Sequence, residues 1–420
     1  MNKSKDNHKK RVYICHTYYH AYIASVKELV ARANAPGKAD IILSTMSNDF
    51  GNLKERLEKS RLFDRVFIYH EQEDTTSEEI MSYHRDRGNI VLNLLQRITY
   101  TRLLGQLQED YIPTDLSAYG DVYVFCDSDP IGYYLNYKKI RYHAVEDGLN
   151  SGLLDDQARI ANKGAWPLKK FMAKLGLIFI ESGYSRYCID YEVNDISVNH
   201  KPPKNIIEVS RKELNDRLTR EDHKVLVDIF LENKDRVVAQ LLGSDETARD
   251  TRKADLRIGS GASAKYNCCD IPKVTSGHID DSNSDIRQPV RPDSLSPDPA
   301  SKRPQVMILT EPLCEMDVRK KLFGDIIDMY KADNRVIIKP HPRDTLDYEK
   351  EFPDTVVIRD KFPMEVLGDI EGFAVDKVIS VITQMDNTYF AKEIVYLGLD
   401  FLDKYESPEI HRKTENLDKK

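Results

Sequence analysis

The sequence predicts an α/β protein with two Rossmann-like, doubly wound domains that face a cleft. Strand-like and helix-like segments alternate over residues 11–242, give way to a polar stretch at 243–304, and resume over 305–406. Short apolar strands alternating with amphipathic helices are typical of parallel sheets covered by helices. A chain of 420 residues also exceeds one ordinary core, so two domains are expected.

In the first half, runs of β-branched and aromatic residues predict the strands, and apolar residues at helical spacing predict the helices. The predicted strands are 11–15, 39–43, 65–69, 121–125, 140–145 and 205–209. The predicted helices are 19–33, 47–60, 89–107, 166–176 and 220–242. A further helix is expected to begin at Asp127-Ser128-Asp129-Pro130, because an acidic cap followed by proline suits a helix start.

In the second half, the predicted strands are 305–309, 335–339, 355–358 and 377–381. A helix is expected over 318–330, a helical turn over 364–367, and a last helix within 387–405. The stretch 243–304 is rich in Gly, Ser, Asp, Arg and Pro, so it offers little apolar surface and is interpreted as a flexible linker or insertion. A small binding motif for a partner within it is the alternative.

Composition excludes several classes of function. The net charge is −7, which gives no general reason to bind nucleic acid. The longest apolar run, 175–180, falls far below a membrane span, and the residues behind the basic N-terminus are too few for a signal core, so a cytoplasmic protein is expected. The six cysteines lack the C-x-x-C pairs of a zinc site. The lysine-rich helix 161–175 is a candidate for contact with an anionic membrane surface, and a solvated face is the ordinary alternative.

Ligands of open α/β sheets bind at the carboxyl ends of strands, so polar residues that follow a strand are the candidate site residues. Glu146-Asp147-Gly148 follows one strand, and a carboxylate there is a candidate general base; a turn or helix cap is the alternative. Lys339-Pro340-His341-Pro342 ends another strand, and its prolines fix the backbone that carries the histidine. A histidine so placed can donate to a leaving phosphate.

Metal binding is not expected. Asp127 and Asp129 have D-x-D spacing, but the following proline favours a helix cap. His16 and His20 lie one helical turn apart without a suitable third ligand, so a cleft-lining or packing role is expected. The chain has no G-x-G-x-x-G, Walker A or G-x-S-x-G pattern, which disfavours dehydrogenases, nucleotide triphosphatases and hydrolases of those types.

The order of three motifs resembles that of bacterial sialyltransferases, most closely the lipooligosaccharide sialyltransferases of glycosyltransferase family 52. These motifs are the opening Ile14-Cys15-His16-Thr17-Tyr18-Tyr19-His20, the Glu146-Asp147-Gly148 turn and the Lys339-Pro340-His341-Pro342 strand exit. The resemblance spans roughly 11–242 and 305–402 and implies a GT-B fold. It also implies an acceptor-side domain first and a nucleotide-sugar-binding domain second.

The resemblance implies a role for each matched residue. Asp147 would be the general base, and His341 would contact the CMP phosphate and assist its departure. The substrate-binding residues would be Glu146, Gly148, Lys339, Pro342, Thr310, Glu311, Pro312, Ser380, Thr383, His16 and Thr17. The family's adjacent hydroxyl residues are spaced apart here, as Ser380 and Thr383.

The implied reaction is an inverting, metal-independent transfer of sialic acid from CMP-sialic acid to a terminal galactose of a bacterial lipooligosaccharide or capsule, without a cofactor. Two alternatives are open: a related transferase that uses another nucleotide sugar or a polyol phosphate, and a non-catalytic glycan- or nucleotide-binding protein. The acceptor, the linkage and any homodimer are left open by the sequence.

Overall fold

Two parallel sheets, each flanked by helices, form the protein. The computed structural model describes residues 10–32, 37–47, 49–83, 85–148, 157–197, 205–243, 303–383 and 389–407. The first sheet has seven strands in the order β3-β2-β1-β4-β5-β6-β7, and the second has five in the order β10-β9-β8-β11-β12. Every paired strand in both sheets runs parallel to its neighbour, which confirms the predicted fold class.

The first sheet is built from residues 11–208. Its strands are β1 Arg11–Cys15, β2 Asp40–Ser44, β3 Val66–Tyr69, β4 Asp121–Phe125, β5 Tyr142–Val145, β6 Cys188–Val193 and β7 Ile206–Glu208. Its helices are α1 Tyr18–Ala31, α2 Leu53–Ser60, α3 Glu78–Ser82, α4 Ile90–Leu107, α5 Pro130–Lys138, α6 Gln157–Ala161 and α7 Trp166–Lys174. As predicted, α5 begins at Pro130, whereas α2 begins at Leu53 rather than at residue 47.

Three helices then lead to the second sheet: α8 Arg211–Asn215, α9 Arg220–Phe230 and α10 Lys234–Leu242. The second sheet contains β8 Gln305–Leu309, β9 Arg335–Lys339, β10 Val356–Val357, β11 Val375–Ser380 and β12 Ala391–Tyr396. Its helices are α11 Met316–Tyr330, α12 Tyr348–Glu351 and α13 Leu399–Leu402, and a 3-10 helix spans Met364–Asp369.

The prediction of one helix over 220–242 was wrong, because the chain breaks between α9 and α10. Leu231 leaves the helical conformation, and the carbonyl of Ile229 in the last turn of α9 accepts a hydrogen bond from Arg56 Nε at 2.6 Å. Asn233 Nδ2 then donates to Asp360 of the second domain at 2.9 Å. The first hydrogen bond occupies a backbone carbonyl that a continuous helix would use, and the second ties the break to the second domain, so tertiary contacts override the apolar periodicity.

Two strands, β6 and β12, were not predicted from the sequence because they contain charged residues. β6 contains Asp190 and Glu192, and their carboxylates pair with His143 on β5 and Lys27 on α1. β12 occupies part of the last predicted helix, so that within residues 389–405 the only helix is the short α13. Its Glu393 pairs with Lys377 of β11 at 2.6 Å, as expected of a charged edge strand.

The two domains share one buried apolar cluster and several polar contacts. The cluster joins Ile23 and Leu29 of α1, Phe230 of α9 and Met307 and Ile337 of the second sheet.

Polar contacts hold the same junction. Asp369 accepts a hydrogen bond from Tyr22 Oη at 3.1 Å and pairs with His223 of α9 at 2.6 Å. α10 is held by the second domain, since Arg335 donates to Leu241 O at 2.9 Å. The predicted linker 243–304, with Cys268 and Cys269, lies almost wholly outside the described residues, so its boundaries stay a prediction.

Candidate active site

The strand order of each sheet reverses at one point, and the candidate site lies where these two points face each other. In the first sheet the reversal falls between β1 and β4, and in the second between β8 and β11. Loops diverge from such a point and leave a crevice at the carboxyl ends of the strands. His16, Thr310 and Thr383 follow three of these four strands.

A cleft of about 640 Å³ occupies this position between the domains. The first domain lines it with His16, Thr17, Tyr18, Tyr19, Ser47, Cys126, Asp129, Asp147 and Gly148. The second domain lines it with Leu309, Thr310, Lys339, Pro340, His341, Pro342, Arg343, Phe362, Pro363, Met364, Glu365 and Thr383. The structure therefore brings the two predicted catalytic residues, Asp147 and His341, to one cleft from opposite domains.

Asp147 is held by a buried histidine. The ring of His20 stacks on Phe125 at 4.9 Å between centroids, and its Nδ1 accepts a hydrogen bond from His16 N at 3.1 Å. Nε2 therefore carries the proton. It lies 2.8 Å from the backbone oxygen of Asp147 and 3.0 Å from its Oδ1, and it donates to this residue. This hydrogen bond lowers the pKa of Asp147, and burial lowers the pKa of His20. At neutral pH the pair is an ionised carboxylate beside a neutral imidazole.

His16 forms a buried cationic centre below the cleft. Its Nδ1 faces Phe125 O at 2.8 Å, and its Nε2 faces Glu71 at 2.8 Å and Asp129 at 3.3 Å. Burial alone would lower the pKa of His16, but the charge and hydrogen bond of Glu71, with a further contribution from Asp129, raise it to about 9. Both ring nitrogens therefore donate. His16 lines the cleft as predicted, and its bonds hold the strand ends of β1, β3 and β4 together.

His341 lies at the start of a tight turn that fixes its ring and backbone. Its amide donates to Thr310 Oγ1 at 3.2 Å, and its Nδ1 accepts from the amide of Arg343 at 3.1 Å. Burial and the nearby Arg343 lower the pKa of His341 to about 4. The ring is therefore neutral at physiological pH and carries its proton on Nε2, which leaves that nitrogen as a hydrogen-bond donor.

Two cations lie beside His341 and make this wall of the cleft suited to an anion. Lys339 is 6% exposed, its ammonium donates to Asp360 O at 3.0 Å, and it lies 4.3 Å from the centroid of the Phe362 ring. Burial lowers its pKa to about 8. Arg343 is exposed at the cleft and forms no ion pair with the described residues. A phosphate placed between these side chains would meet two cations and the His341 donor.

Four predicted site residues are absent from the cleft wall: Glu311, Ser380 and Glu146 are buried behind it, and Pro312 is exposed outside it. Glu311 is buried and accepts hydrogen bonds from the amides of Ile382 and Thr383 and from Ser380 Oγ, the last at 3.2 Å. Ser380 and Glu311 thus brace the loop that presents Thr383. Pro312 is absent from the lining. Glu146 is buried, where it accepts from Asn194 N at 2.8 Å and lies 3.5 Å from Arg211.

The carboxylates of the D-x-D sequence bind different protein groups. Asp127 accepts from Tyr142 Oη and Ser182 N, each at 2.8 Å, and burial raises its pKa to about 7. Asp129 faces His16, and burial raises its pKa to about 6. Within the described part of the chain, one group of side chains has metal-binding spacing, namely His143, Asp190 and Glu192, and it does not include these two aspartates.

Sequence reasoning missed three residues that shape the site. His20 was assigned to cleft lining or packing, yet it is fully buried and orients Asp147. Arg343, two positions after His341, adds a cation to the cleft. Asp344 accepts from Thr310 Oγ1 at 2.7 Å and pairs with Arg319 at 2.8 Å, so it supports the His341 turn. Proximity to the His-Pro sequence was the only available signal for Arg343 and Asp344.

Two Rossmann-like domains whose switch points share one cleft constitute the predicted GT-B architecture. The model of glycosyltransferase family 52 matches residues 291–384. The resemblance predicted from short motifs is confirmed by this match, which includes His341 and Thr383. It does not extend to the segment that contains Asp147.

Other similarities are weaker or shorter. An uncharacterized protein of Haemophilus influenzae is 32% identical over 97 residues, which are 22% of this chain and 31% of that protein. This chain thus matches about a third of the length of that relative. The GT-B domain of a sialyltransferase from Photobacterium damselae is 11% identical with a TM-score of 0.44, over 92% of this chain and 90% of that one.

A UDP-N-acetylglucosamine 2-epimerase is 10% identical with a TM-score of 0.39, over 97% of this chain and 87% of that one. At these identities and scores, neither structural similarity contributes to the argument about function.

Proposed function

We propose that this protein is an inverting glycosyltransferase that transfers sialic acid from CMP-sialic acid to a hydroxyl of a terminal galactose on a bacterial surface glycan. The observation that carries the proposal is the position of an ionised carboxylate, Asp147, and a phosphate-type subsite around His341 on opposite walls of one cleft. The family 52 match over the second domain supports the donor side of this assignment.

In the proposed reaction, an acceptor hydroxyl oxygen attacks the anomeric carbon of the sugar. Its proton passes to a carboxylate oxygen of Asp147, and the bond between the anomeric carbon and the phosphate oxygen breaks. The electron pair of that bond leaves with CMP. Because attack and departure occur on opposite faces of the carbon, the configuration inverts. The hydrogen bond from His20 keeps Asp147 ionised and oriented for this proton transfer.

The second domain would stabilise the charge that grows on the departing phosphate. His341 donates through Nε2, and Lys339 and Arg343 supply positive charge. Lys339 is buried beside a ring and forms no ion pair with a described carboxylate, although the charge of Asp360 acts on it, so much of its field is available to a bound phosphate. We infer that these side chains supply the electrostatic stabilisation without a cofactor.

We propose that the reaction takes place in the cytoplasm. Among the described residues, no helix is long and apolar enough to cross a membrane.

The function is tested by incubating the purified protein with CMP-sialic acid, with and without a galactose-terminated acceptor, and measuring the sialylated product and free CMP. Acceptor-dependent formation of both supports the proposal. CMP-sialic acid that neither binds nor turns over would refute the donor assignment, and binding and turnover of a UDP- or CDP-linked donor instead would establish the related-transferase alternative.

A further inference from the structure

The helices α4, α6 and α7 leave a large group of apolar side chains in solvent. Leu94 of α4 shares one buried cluster with Met172 and Ala173 of α7, so these helices form one region of the first domain. The side chains that face outward in this region are 44–60% exposed and comprise Ile90, Val91, Leu92, Leu95, Ile160, Leu168, Phe171, Leu175 and Leu177. We call these residues the apolar face.

The two chain segments that form this region lack acidic residues of their own, although Asp86 from the preceding loop accepts a hydrogen bond from Asn93 Nδ2 of α4 at 2.7 Å. Neither 88–108 nor 157–180 contains an aspartate or a glutamate, although the chain has 69 acidic and 62 basic residues. The basic residues of these two segments are Arg97, Arg102, Arg159, Lys163, Lys169, Lys170 and Lys174. The apolar face therefore lies among cations in a protein that is acidic overall.

The lysines of this region have not been neutralised by the fold. Burial and the charge of Arg97 lower the pKa of Lys169, so two like charges lie close together. Lys163, Lys170 and Lys174 form no ion pair with any described residue. A surface whose lysines are not paired with carboxylates attracts an anionic surface.

The helical spacing of α7 arranges apolar and basic groups side by side. Met172 and Ala173 point into the core, whereas Leu168, Phe171 and Leu175 form an outward stripe at i, i+3 and i+7. Successive residues of an α-helix are rotated by about 100°, so Lys170 and Lys174 lie on the adjacent side of α7, beside this apolar stripe. A short helix with exposed apolar residues flanked by lysines is suited to the boundary between lipid headgroups and acyl chains.

An aromatic pair adds to this character. Trp166 opens α7, is half-buried, and meets the ring of Tyr184 edge-on at 5.1 Å between centroids. Lys170 lies 5.3 Å from the centroid of Tyr184. Trp and Tyr are enriched at the membrane interface because one side of each ring is apolar and the other is polar.

We propose that the apolar face and its surrounding cations dock the protein on an anionic lipid bilayer, with α7 lying in the plane of the interface. The positive charge around the apolar face favours an anionic lipid surface, rather than a second copy of this chain, as its binding partner. A two-fold interface on this surface would bring the lysines of one copy against those of the other, and like charges would face each other. The proposal does not depend on the sugar that the cleft binds.

The test uses Trp166, the only tryptophan of the chain, as a reporter. The full-length protein is titrated with vesicles of phosphatidylglycerol and phosphatidylcholine, and with vesicles of phosphatidylcholine alone, at two salt concentrations. We expect a blue shift of Trp166 emission, quenching by brominated acyl chains, and co-sedimentation with the anionic vesicles. Binding should be at least about tenfold weaker to the neutral vesicles and should weaken as salt rises.

Two double variants separate the apolar and electrostatic contributions, and both alter exposed or half-buried side chains, so their melting temperatures are expected to stay near that of the wild type. Phe171→Ser with Leu175→Ser should abolish the brominated-lipid quenching. Lys170→Glu with Lys174→Glu should weaken binding to anionic vesicles roughly tenfold or more. The matched control, Met329→Ser with Lys331→Glu on α11, changes an exposed apolar and an exposed basic residue of the other domain and should bind like the wild type.

The proposal is overturned if neither vesicle shifts Trp166 emission, or if both surface variants bind vesicles as tightly as the control. It is also overturned if light scattering shows a dimer that the Phe171 and Leu175 substitutions dissociate while vesicle binding is absent. None of these readouts uses a sugar nucleotide, so failure here leaves the proposed transferase activity standing, and loss of that activity leaves vesicle binding unchanged.

Discussion

His20 is expected to be a positioning residue for the catalytic carboxylate, and two substitutions at this position separate that role from packing. His20→Asn keeps an oxygen near the place of Nδ1, which accepts from His16 N, but removes the Nε2 donor to Asp147. His20→Gln places an amide nitrogen near the position of Nε2 and so retains the donor. Both variants remove the aromatic stack with Phe125, so that loss is common to the pair.

Two opposing effects determine how much the loss of the His20 donor changes the reaction rate. Without His20, the pKa of Asp147 rises, and a stronger base alone speeds proton transfer by a few-fold at most for each pKa unit. The Asp147 side chain is 60% exposed, and His20 also binds its backbone oxygen, so the lost bond frees both the carboxylate and its turn. A hydrogen bond to a charged group contributes about 1.5–3 kcal/mol, equivalent to roughly 10- to 150-fold in rate. Misorientation therefore dominates.

We expect kcat of His20→Asn to fall about 10- to 100-fold with little change in donor KM, and the acidic limb of the pH–rate profile to move to higher pH. His20→Gln should recover most of the rate. The assay is initial-rate CMP release across pH 3 to 9, corrected for donor hydrolysis without protein, with thermal melts to confirm folding. Equal losses in the two variants would assign His20 to packing, and an unchanged acidic limb in His20→Asn would refute its effect on Asp147.

Two further predictions follow from the charges in the cleft. Replacing Lys339 or Arg343 by Met should raise the donor KM about tenfold and weaken inhibition by CMP about tenfold, because either substitution removes a cation from the phosphate subsite. Unchanged CMP inhibition in both variants would place the phosphate elsewhere. The pKa of His16 is raised to about 9 in the folded protein, against 6.5 when unfolded, so its stabilising proton is fully bound below pH 6.5 and lost as the pH rises through 9. The contribution of His16 to the unfolding free energy should therefore fall by about 3 kcal/mol between these pH values, and it is measured in denaturant titrations as the difference between the wild type and His16→Gln. A difference that does not change with pH would show that the His16 proton does not stabilise the fold.

The parts of the fold that follow local rules were predictable from the sequence. β1 and β4 each consist of one charged residue followed by four apolar residues, and their predicted bounds match the structure. Pro130 correctly marked a helix start. Strands whose charges are neutralised by distant residues were not predictable in this way: β6 reads as polar until Lys27 and His143 are brought beside it by the fold.

The same distinction applies to the site. Asp147 and His341 were identifiable because each follows a strand in a short, recognisable sequence, and the fold brings them to one cleft. His20 was not, because its importance depends on a contact across 127 residues of sequence. Glu311 was assigned to ligand binding, yet it accepts hydrogen bonds from the amides that follow β11, a role set by the second sheet's strand order.

The central claim is that Asp147 and His341 catalyse sialyl transfer from opposite walls of the cleft. Its most direct test is acceptor-dependent CMP release from CMP-sialic acid by the wild type, Asp147→Asn and His341→Ala, in the presence and absence of EDTA. The account predicts EDTA-insensitive turnover that falls by about 10²- to 10⁴-fold in Asp147→Asn and by at least about tenfold in His341→Ala. Turnover that persists at the wild-type rate in both variants, or that requires a metal, would contradict it.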